Sequence, residues 1–301
     1  MADTRSRSRG ILAWALLVTA LASLVSLALQ RGAGATNRRL NAKREPDHAS
    51  ASCRAAALGP MPSLANLSSL GRPLPQYMLK AVGGDEQKAR SRWADTLRWR
   101  CDIGDTAMLA QPHPELELIA PFYPQYLHLP DREGRLTYWE FIGALDQKAM
   151  LRAGITADVV VEHYIWSTLF TWDVAARDDA EEVTIVVDMS GFRLSMLTPT
   201  VLNIFVRVAR LLRTHFPQRE HGMFFINAPA WSEQAYAMVS PLVSQKQRDK
   251  VHLYGVEASK AILQELIHPA NLPAEYGGYG PPLGSTPLEV RKRELAAHGA
   301  Q

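Results

Sequence analysis

Residues 183–191 read Val183-Thr-Ile-Val-Val-Asp188-Met-Ser-Gly191, and Thr198-Pro199 opens the next stretch. The first five positions form a largely apolar, β-branched run of the kind that makes a strand buried on both faces. Asp188 closes the strand, and Gly191 marks the turn behind it. Thr198 then suits a helix N-cap and Pro199 its first position. Leu202, Phe205, Val206, Ala209 and Leu212 follow at helical spacing and predict the buried stripe of that helix. Phe216-Pro217 stops it.

Further along, Met223-Phe224-Phe225-Ile226 reads as the next strand, Trp231 to Val243 as a helix, and Val251-His252-Leu253-Tyr254 as another strand, closed by Gly255. Strands separated by helical crossovers imply βαβ units and a parallel sheet. On the N-terminal side, Thr156 and Asp158 start a helix carrying Val161, Ile165, Leu169 and Trp172, widened by Val160 and Tyr164. Asp85-Glu86 starts an earlier one, with Ala89, Trp93, Leu97 and Cys101 on one face and Gly104 at its end.

The chain has 301 residues, enough for one α/β core and a small accessory unit. Lys and Arg number 33 against 30 acids, and residues 1–50 hold eight of those bases against three acids, leaving the rest near −2. A basic excess confined to a tail argues against a nucleic-acid binder. Cys53 and Cys101 support neither a disulfide framework nor a cysteine zinc site. The His residues show no metal-ligand spacing, so no metal or cofactor is expected. Gly-x-Ser-x-Gly, Gly-x-x-x-x-Gly-Lys and Gly-x-Gly-x-x-Gly are all missing, which disfavours an α/β-hydrolase and a nucleotide binder. Asp188 stands where α/β folds place chemistry, but without a catalytic partner nearby in sequence it reads as a capping carboxylate. No catalytic residue is assigned, and an enzyme is not expected.

Ile11 to Leu29 is an uncharged run of 19 residues, preceded by Arg5, Arg7 and Arg9 and followed by Arg31, Arg38, Arg39, Lys43 and Arg44. At about 1.5 Å per residue it matches a hydrocarbon core of about 30 Å, so residues 1–31 read as a membrane anchor. A cleaved signal also fits, given Ala20-Leu21-Ala22 and Ala33-Gly34-Ala35, and so does an organelle transit peptide. The heavier positive flank beyond Leu29 favours a cytoplasmic folded domain, in which Asn66 of the Asn66-Leu67-Ser68 sequon stays unmodified. Secretory-pathway and organelle addresses stay open. Residues 32–73 read as a flexible linker.

Several strings together resemble the CRAL-TRIO family of lipid-binding and lipid-transfer proteins, whose founding members carry phosphatidylinositol, retinal or tocopherol. They are Tyr77-Met-Leu-Lys-Ala81, Phe122-Tyr-Pro-Gln-Tyr-Leu-His128, Asp131-Arg-Glu-Gly-Arg135, Val187-Asp-Met-Ser-Gly191, Phe216-Pro-Gln-Arg219, Ile226-Asn-Ala-Pro229, Lys250-Val251 and Leu272-Pro-Ala-Glu-Tyr-Gly-Gly278. The resemblance implies an α/β fold: a helical unit over 74–115, a CRAL-TRIO-type lipid-binding domain over 116–280 with a mainly parallel sheet and a gate helix, and a C-terminal tail over 281–301.

It also implies a site. The sheet would floor an apolar cavity, and Trp231, Tyr236 and Val239 would belong to a mobile gate, although an ordinary core helix has the same composition. In phosphatidylinositol-transfer members a Lys after the gate, a Glu in the Tyr-Pro-Glu-Arg string and a Lys of the N-terminal unit engage the head group. Lys250 matches the first, Gln218 replaces the second, and Gly83 falls at the third. Of four hydroxyl-bearing choline-contact positions Tyr138 remains, while Leu127, Val183 and Ile185 fill the others, which argues against phosphatidylcholine. The expected function is to bind one lipid, phosphatidylinositol or another hydrophobic lipid, and transfer it between membranes. The alternative is a tethered sensor or presenter that regulates a partner without net transfer. The partners expected are a lipid and a membrane, with the oligomeric state open.

Overall fold

The computed structural model describes residues 73–178, 181–240 and 245–299, with the backbone alone at 238 and 239. The Ile11–Leu29 run, most of the expected linker with Cys53 and Asn66, and Leu242 in the expected gate helix lie outside the described residues. Among the described residues no helix is long and apolar enough to cross a membrane.

Four helices come first: α1 (Gln76–Ala81), α2 (Glu86–Ile103), α3 (Asp105–Ala110) and α4 (Glu115–Ile119). The Asp85 carboxylate caps α2 by accepting from Lys88 N, and Gly104 ends it at φ 64°, a left-handed turn that glycine takes without steric penalty. Ala89, Trp93 and Leu97 of the expected stripe are buried, whereas Cys101 is half-buried.

The sheet has five strands in sequence order: β1 (Gln125–His128), β2 (Thr137–Phe141), β3 (Val183–Asp188), β4 (Glu220–Ile226) and β5 (Val251–Leu253). β1 pairs antiparallel with β2, and the other pairs are parallel. The α/β, mainly parallel architecture is therefore as expected. Between β2 and β3 run α5 (Gln147–Arg152) and α6 (Ala157–Leu169), the latter continuing into a π turn over Phe170–Ala175. α7 (Pro199–His215) joins β3 to β4; α8 (Ala230–Val239) and α9 (Gln245–Arg248) join β4 to β5. α10 (Val256–Leu266) follows. Thr156 and Thr198 cap α6 and α7 through their hydroxyls, as their sequences imply.

The stripe expected for α7 is borne out only in part, since Phe205 and Leu212 pack against the main core and the other three residues do not. Val201, Ile204 and Val208 face the core, while Leu202, Phe205, Val206 and Leu212 are half-buried and Ala209 is exposed. A main core joins α6, α7 and the small helices around Trp166, Phe170 and Ile165. On the opposite face of the sheet, Trp139, Val186 and Ile226 pack against Leu263, Ile267 and Leu272. The Leu272–Gly278 string folds tightly there, since a Cβ on Gly278 would come 2.0 Å from the Leu272 carbonyl oxygen. Asp188 has the capping role expected of it. Its Oδ1 accepts from Ser190 N at 2.7 Å and from the Asn227 amide at 3.0 Å, and its Oδ2 accepts from the Tyr276 hydroxyl at 2.7 Å.

The C-terminal stretch, long enough for a short tail or one helix, holds a helix, α11 (Pro287–His298), capped by Thr286. Leu288, Leu295 and Ala296 join the main core, and buried Glu289 accepts from Leu127 N, which covers the edge strand β1. The sequence alone leaves tail and helix both open, because the helix's face toward the protein includes the buried polar residues Glu289 and Lys292, which blur the apolar period.

The helical unit docks on α7 through His215. This imidazole stacks on Trp99 with centroids 4.0 Å apart, and its Nδ1 lies 3.1 Å from Thr96 Oγ1. Burial and the nearby Arg100 and Arg92 charges lower its pKa to about 3. His163 on α6 is also held well below its ordinary value, by burial first and then by Lys292 and His113. Its Nδ1 lies 3.1 Å from His113 Nε2, Ser167 Oγ is 3.5 Å from its Nε2, and Glu115 reaches His113 Nδ1 at 3.2 Å. Both rings stay neutral in the fold at pH values where the unfolded chain protonates them. Their stabilisation is complete above the ordinary histidine pKa of about 6.5 and is lost as pH falls below it, by at most about 1.4 kcal/mol per pH unit for each ring. Urea midpoints are therefore expected to drop between pH 7 and pH 5, and His215→Gln should make the drop shallower. An equally steep drop in that variant would remove His215 from the explanation.

Candidate functional site

The strand register sets out one face of the sheet row by row. Leu127 lies opposite Tyr138, then come Ile185, Met223 and Val251, so one row crosses all five strands. The next row is Gln125, Glu140, Val187, Phe225 and Leu253. Residues two apart on a strand share a face, so Val183 joins this side as well. α6 covers the β1–β2 end of this face, where Tyr164 donates to Glu140 Oε1 at 2.7 Å. Trp231, near the start of α8, packs with Phe225, Phe192 and Met189. In between, Ile185, Met223, Val251 and Leu253 are half-buried and belong to none of the four core clusters of the described residues. Apolar side chains running from β3 across to the edge strand β5, outside every core cluster of the described residues, form a floor ready for an apolar ligand.

Tyr138 stands on this floor, half-buried, with burial and the Glu140 charge raising its hydroxyl pKa well above the phenol range. Trp231 and Tyr236 sit on α8, both half-buried, with the Trp231 ring 6.0 Å from Phe192. The Tyr236 hydroxyl is buried with no hydrogen-bond partner among the described residues. Its pKa is raised, first by burial, then altered by Arg248 and Asp249. The Val239 side chain lies outside the described atoms. Gln218 and Lys250 precede the neighbouring strands β4 and β5, at the same end of the sheet. Gln218 has φ 60°, and its Oε1 is buried without a partner among the described residues. Lys250 donates to the Glu220 carbonyl, and its Nζ lies 3.4 Å from Glu220 Oε1.

Residues missed in the sequence complete both ends. At the strand N-termini, Lys80 of α1 pairs with Glu182, and His221 Nδ1 lies 3.8 Å from the same carboxylate. Gly83, aligned to the family's N-terminal Lys, forms the turn after α1 at φ 66°, so the cation comes from three residues earlier. At the β1–β2 end, Glu140 Oε1 accepts from Tyr123 and Tyr164, whose hydroxyls are 2.7 Å apart. Burial raises the Glu140 pKa, against the two tyrosine hydrogen bonds that lower it. Across the ladder, the Gln125 side chain is 7% exposed with neither amide atom hydrogen-bonded among the described residues. The period-two pairs Tyr138/Glu140 and Gln125/Leu127 carry the only sequence signal for this cluster, and it becomes readable once the register is known. Among the described residues no three His, Cys, Asp or Glu side chains are grouped to hold a metal.

Residues 122–278 match the family model of the CRAL/TRIO domain. A phosphatidylinositol/phosphatidylcholine transfer protein of Arabidopsis thaliana, SFH7, is 27% identical over 208 residues, which cover 66% of this chain and 38% of that protein. The SEC14 cytosolic factor of Eremothecium gossypii is 27% identical over 208 residues, covering 66% of this chain and 67% of its own length. The crystal structure of Sfh5 superposes with a TM-score of 0.49 at 18% identity, over 63% of this chain and 65% of that one. The chain thus spans well under half of its Arabidopsis relative.

Proposed function

The chain belongs to the CRAL/TRIO domain family, and from that premise we propose that it holds one lipid against the sheet floor, under α8, and exchanges it between membranes. The observation that carries this reading is the half-buried apolar stretch Ile185, Met223, Val251 and Leu253, which runs from β3 to the edge strand β5 outside the core clusters of the described residues. Each acyl methylene buried there contributes roughly 0.8 kcal/mol, so a long chain binds without a strong polar anchor. The Arabidopsis relative named as a transfer protein supports exchange and a non-enzymatic role. Exchange at cytoplasmic leaflets, beside a membrane holding the Ile11–Leu29 run, completes the proposal and draws on the charge flanking that run. Movement of labelled lipid from donor to acceptor vesicles tests it. Lipid held without transfer would favour the sensor reading, and no lipid pickup at all would end both.

For the head group we propose an anionic phospholipid, phosphatidylinositol foremost, at the strand N-termini, where Lys250, Lys80 and Gln218 lie. Each Lys already faces a carboxylate, Glu220 or Glu182, so a phosphate there must exchange one ionic partner for another. Lys250→Ala is expected to weaken pickup of phosphatidylinositol about tenfold more than that of phosphatidylcholine, the lower end of a charge-assisted hydrogen bond. Equal loss for both lipids would assign Lys250 to holding β5 against β4 through Glu220.

A further inference from the structure

The floor face of the sheet holds a polar cluster at its β1–β2 end, away from Lys250 and one row along from Tyr138, whose hydroxyl feels the Glu140 charge. Gln125 and Glu140 stand directly opposite each other in the antiparallel ladder, and directly opposed residues point to the same side. They share their row with Val187, Phe225 and Leu253, so an otherwise apolar surface ends in an amide and a carboxyl. Tyr123 and Tyr164 both donate to one oxygen of Glu140, Oε1, and no other hydrogen bond among the described residues reaches this carboxyl. The Gln125 amide is more than nine-tenths buried, and both its donor and its acceptor lack partners among the described residues.

A buried amide with nothing on either side is rare in folded proteins, because each lost hydrogen bond to water must be replaced. The missing partner has to donate as well as accept, since Gln125 offers both an N–H and a carbonyl. A phosphate is a poor candidate beside a carboxylate, through like-charge repulsion. A quaternary ammonium has no N–H or O–H to give. A hydroxyl meets both needs: it accepts from Gln125 Nε2 and donates to Gln125 Oε1 or to Glu140 Oε2. Burial raises the Glu140 pKa, which agrees with an uncharged neighbour in that place.

We propose that Gln125 and Glu140 bind the free hydroxyl of an uncharged lipid, such as a diacylglycerol, with its acyl chains on the floor beyond; this rests on the lipid-holding reading above. The test loads the full chain from dioleoylphosphatidylcholine vesicles doped with either dioleoylglycerol or its O-methyl ether, and bound lipid is counted by mass spectrometry. The two probes share acyl chains and differ in the hydroxyl proton. The wild type is expected to retain dioleoylglycerol at least about tenfold over the ether, because the ether leaves the amide and carboxyl short of a donor. Gln125→Leu and Glu140→Gln should bring that ratio close to one. The wild-type ratio alone decides even where a variant folds poorly. Equal uptake of both probes, or a ratio that survives Gln125→Leu, would overturn the assignment and leave water as the partner of the amide. Phospholipid uptake without either diglyceride would overturn it while sparing the lipid-holding reading. No uptake of any lipid would end both.

Discussion

Met223→Glu is expected to leave the protein folded and to cut its lipid loading several hundredfold at neutral pH. Met223 sits between Ile185 and Val251 in the row that crosses the sheet, half-buried and outside every core cluster of the described residues. In the lipid-free protein a carboxylate at that place keeps its water, so little folding stability is lost. An acyl chain lying on the floor strips that water away. The carboxylate then either stays charged against hydrocarbon or takes up a proton. Protonation sets the ceiling: with an ordinary Glu pKa near 4.3 it costs about 4 kcal/mol at pH 7 and about 1 kcal/mol at pH 5. The corresponding losses in affinity are about several hundredfold and about fivefold. Loading of Met223→Glu should therefore recover as pH falls to 5, whereas Met223→Arg should fail at both values and Met223→Leu at neither. Native mass spectrometry of lipid-to-protein ratios reads all three. A folded Met223→Glu protein that loads like wild type at pH 7 would show that lipid does not lie on this face.

The same floor explains where the sequence reads clearly and where it misleads. Val183–Asp188 is legible because β-branched residues away from water on the core side and apolar on the floor side leave a continuous apolar run. Thr156, Thr198 and Asp85 are legible because N-caps are local, needing only a side-chain oxygen near the amide three residues on. The α7 stripe is only partly legible, because two apolar stripes interleave on that helix. Val201, Ile204 and Val208 face the core, while Leu202, Val206 and Ala209 lie outside all core clusters of the described residues. Hydrophobicity marks avoidance of water, and in a lipid carrier a ligand avoids water as well as the core does, so periodicity alone cannot assign the faces. Lys250 and Tyr138 are singled out by the family resemblance alone. Glu220, thirty residues from Lys250, and Gln125, paired across a turn with Glu140, depend on strand register, which no local pattern carries.

Arg100→Ala is expected to lower folding stability by roughly 3–5 kcal/mol, the range for removing one partner of a buried ion pair. The side chain of Arg100 is 5% exposed on α2, and its guanidinium spans two elements of the fold. Nη1 donates to Asp105 at 2.9 Å and to Asp173 at 2.7 Å, and Nη2 donates to the second oxygen of Asp173 at 3.1 Å. The Phe216 ring centroid lies 5.4 Å from its central carbon. Asp173 belongs to the π turn after α6, so the group ties the N-terminal helices to the CRAL/TRIO domain. Arg219 reinforces that seam, its central carbon 3.8 Å from the Trp172 centroid and 5.0 Å from that of Tyr77. Removing Arg100 leaves two carboxylates near each other in a partly dry seam without their cation. Arg100→Lys keeps the charge but loses the planar fork that serves both acids, so its loss should be intermediate. Asp173→Asn combined with Arg100→Ala should cost less than the two separate losses added together, because the second change removes a charge the first has stranded. Urea unfolding of the wild type and the four variants measures all of this, provided the m-value is unchanged. A loss under about 1 kcal/mol for Arg100→Ala, as for an exposed pair, would mean that packing around Trp99 and Trp93 alone holds the helical unit in place.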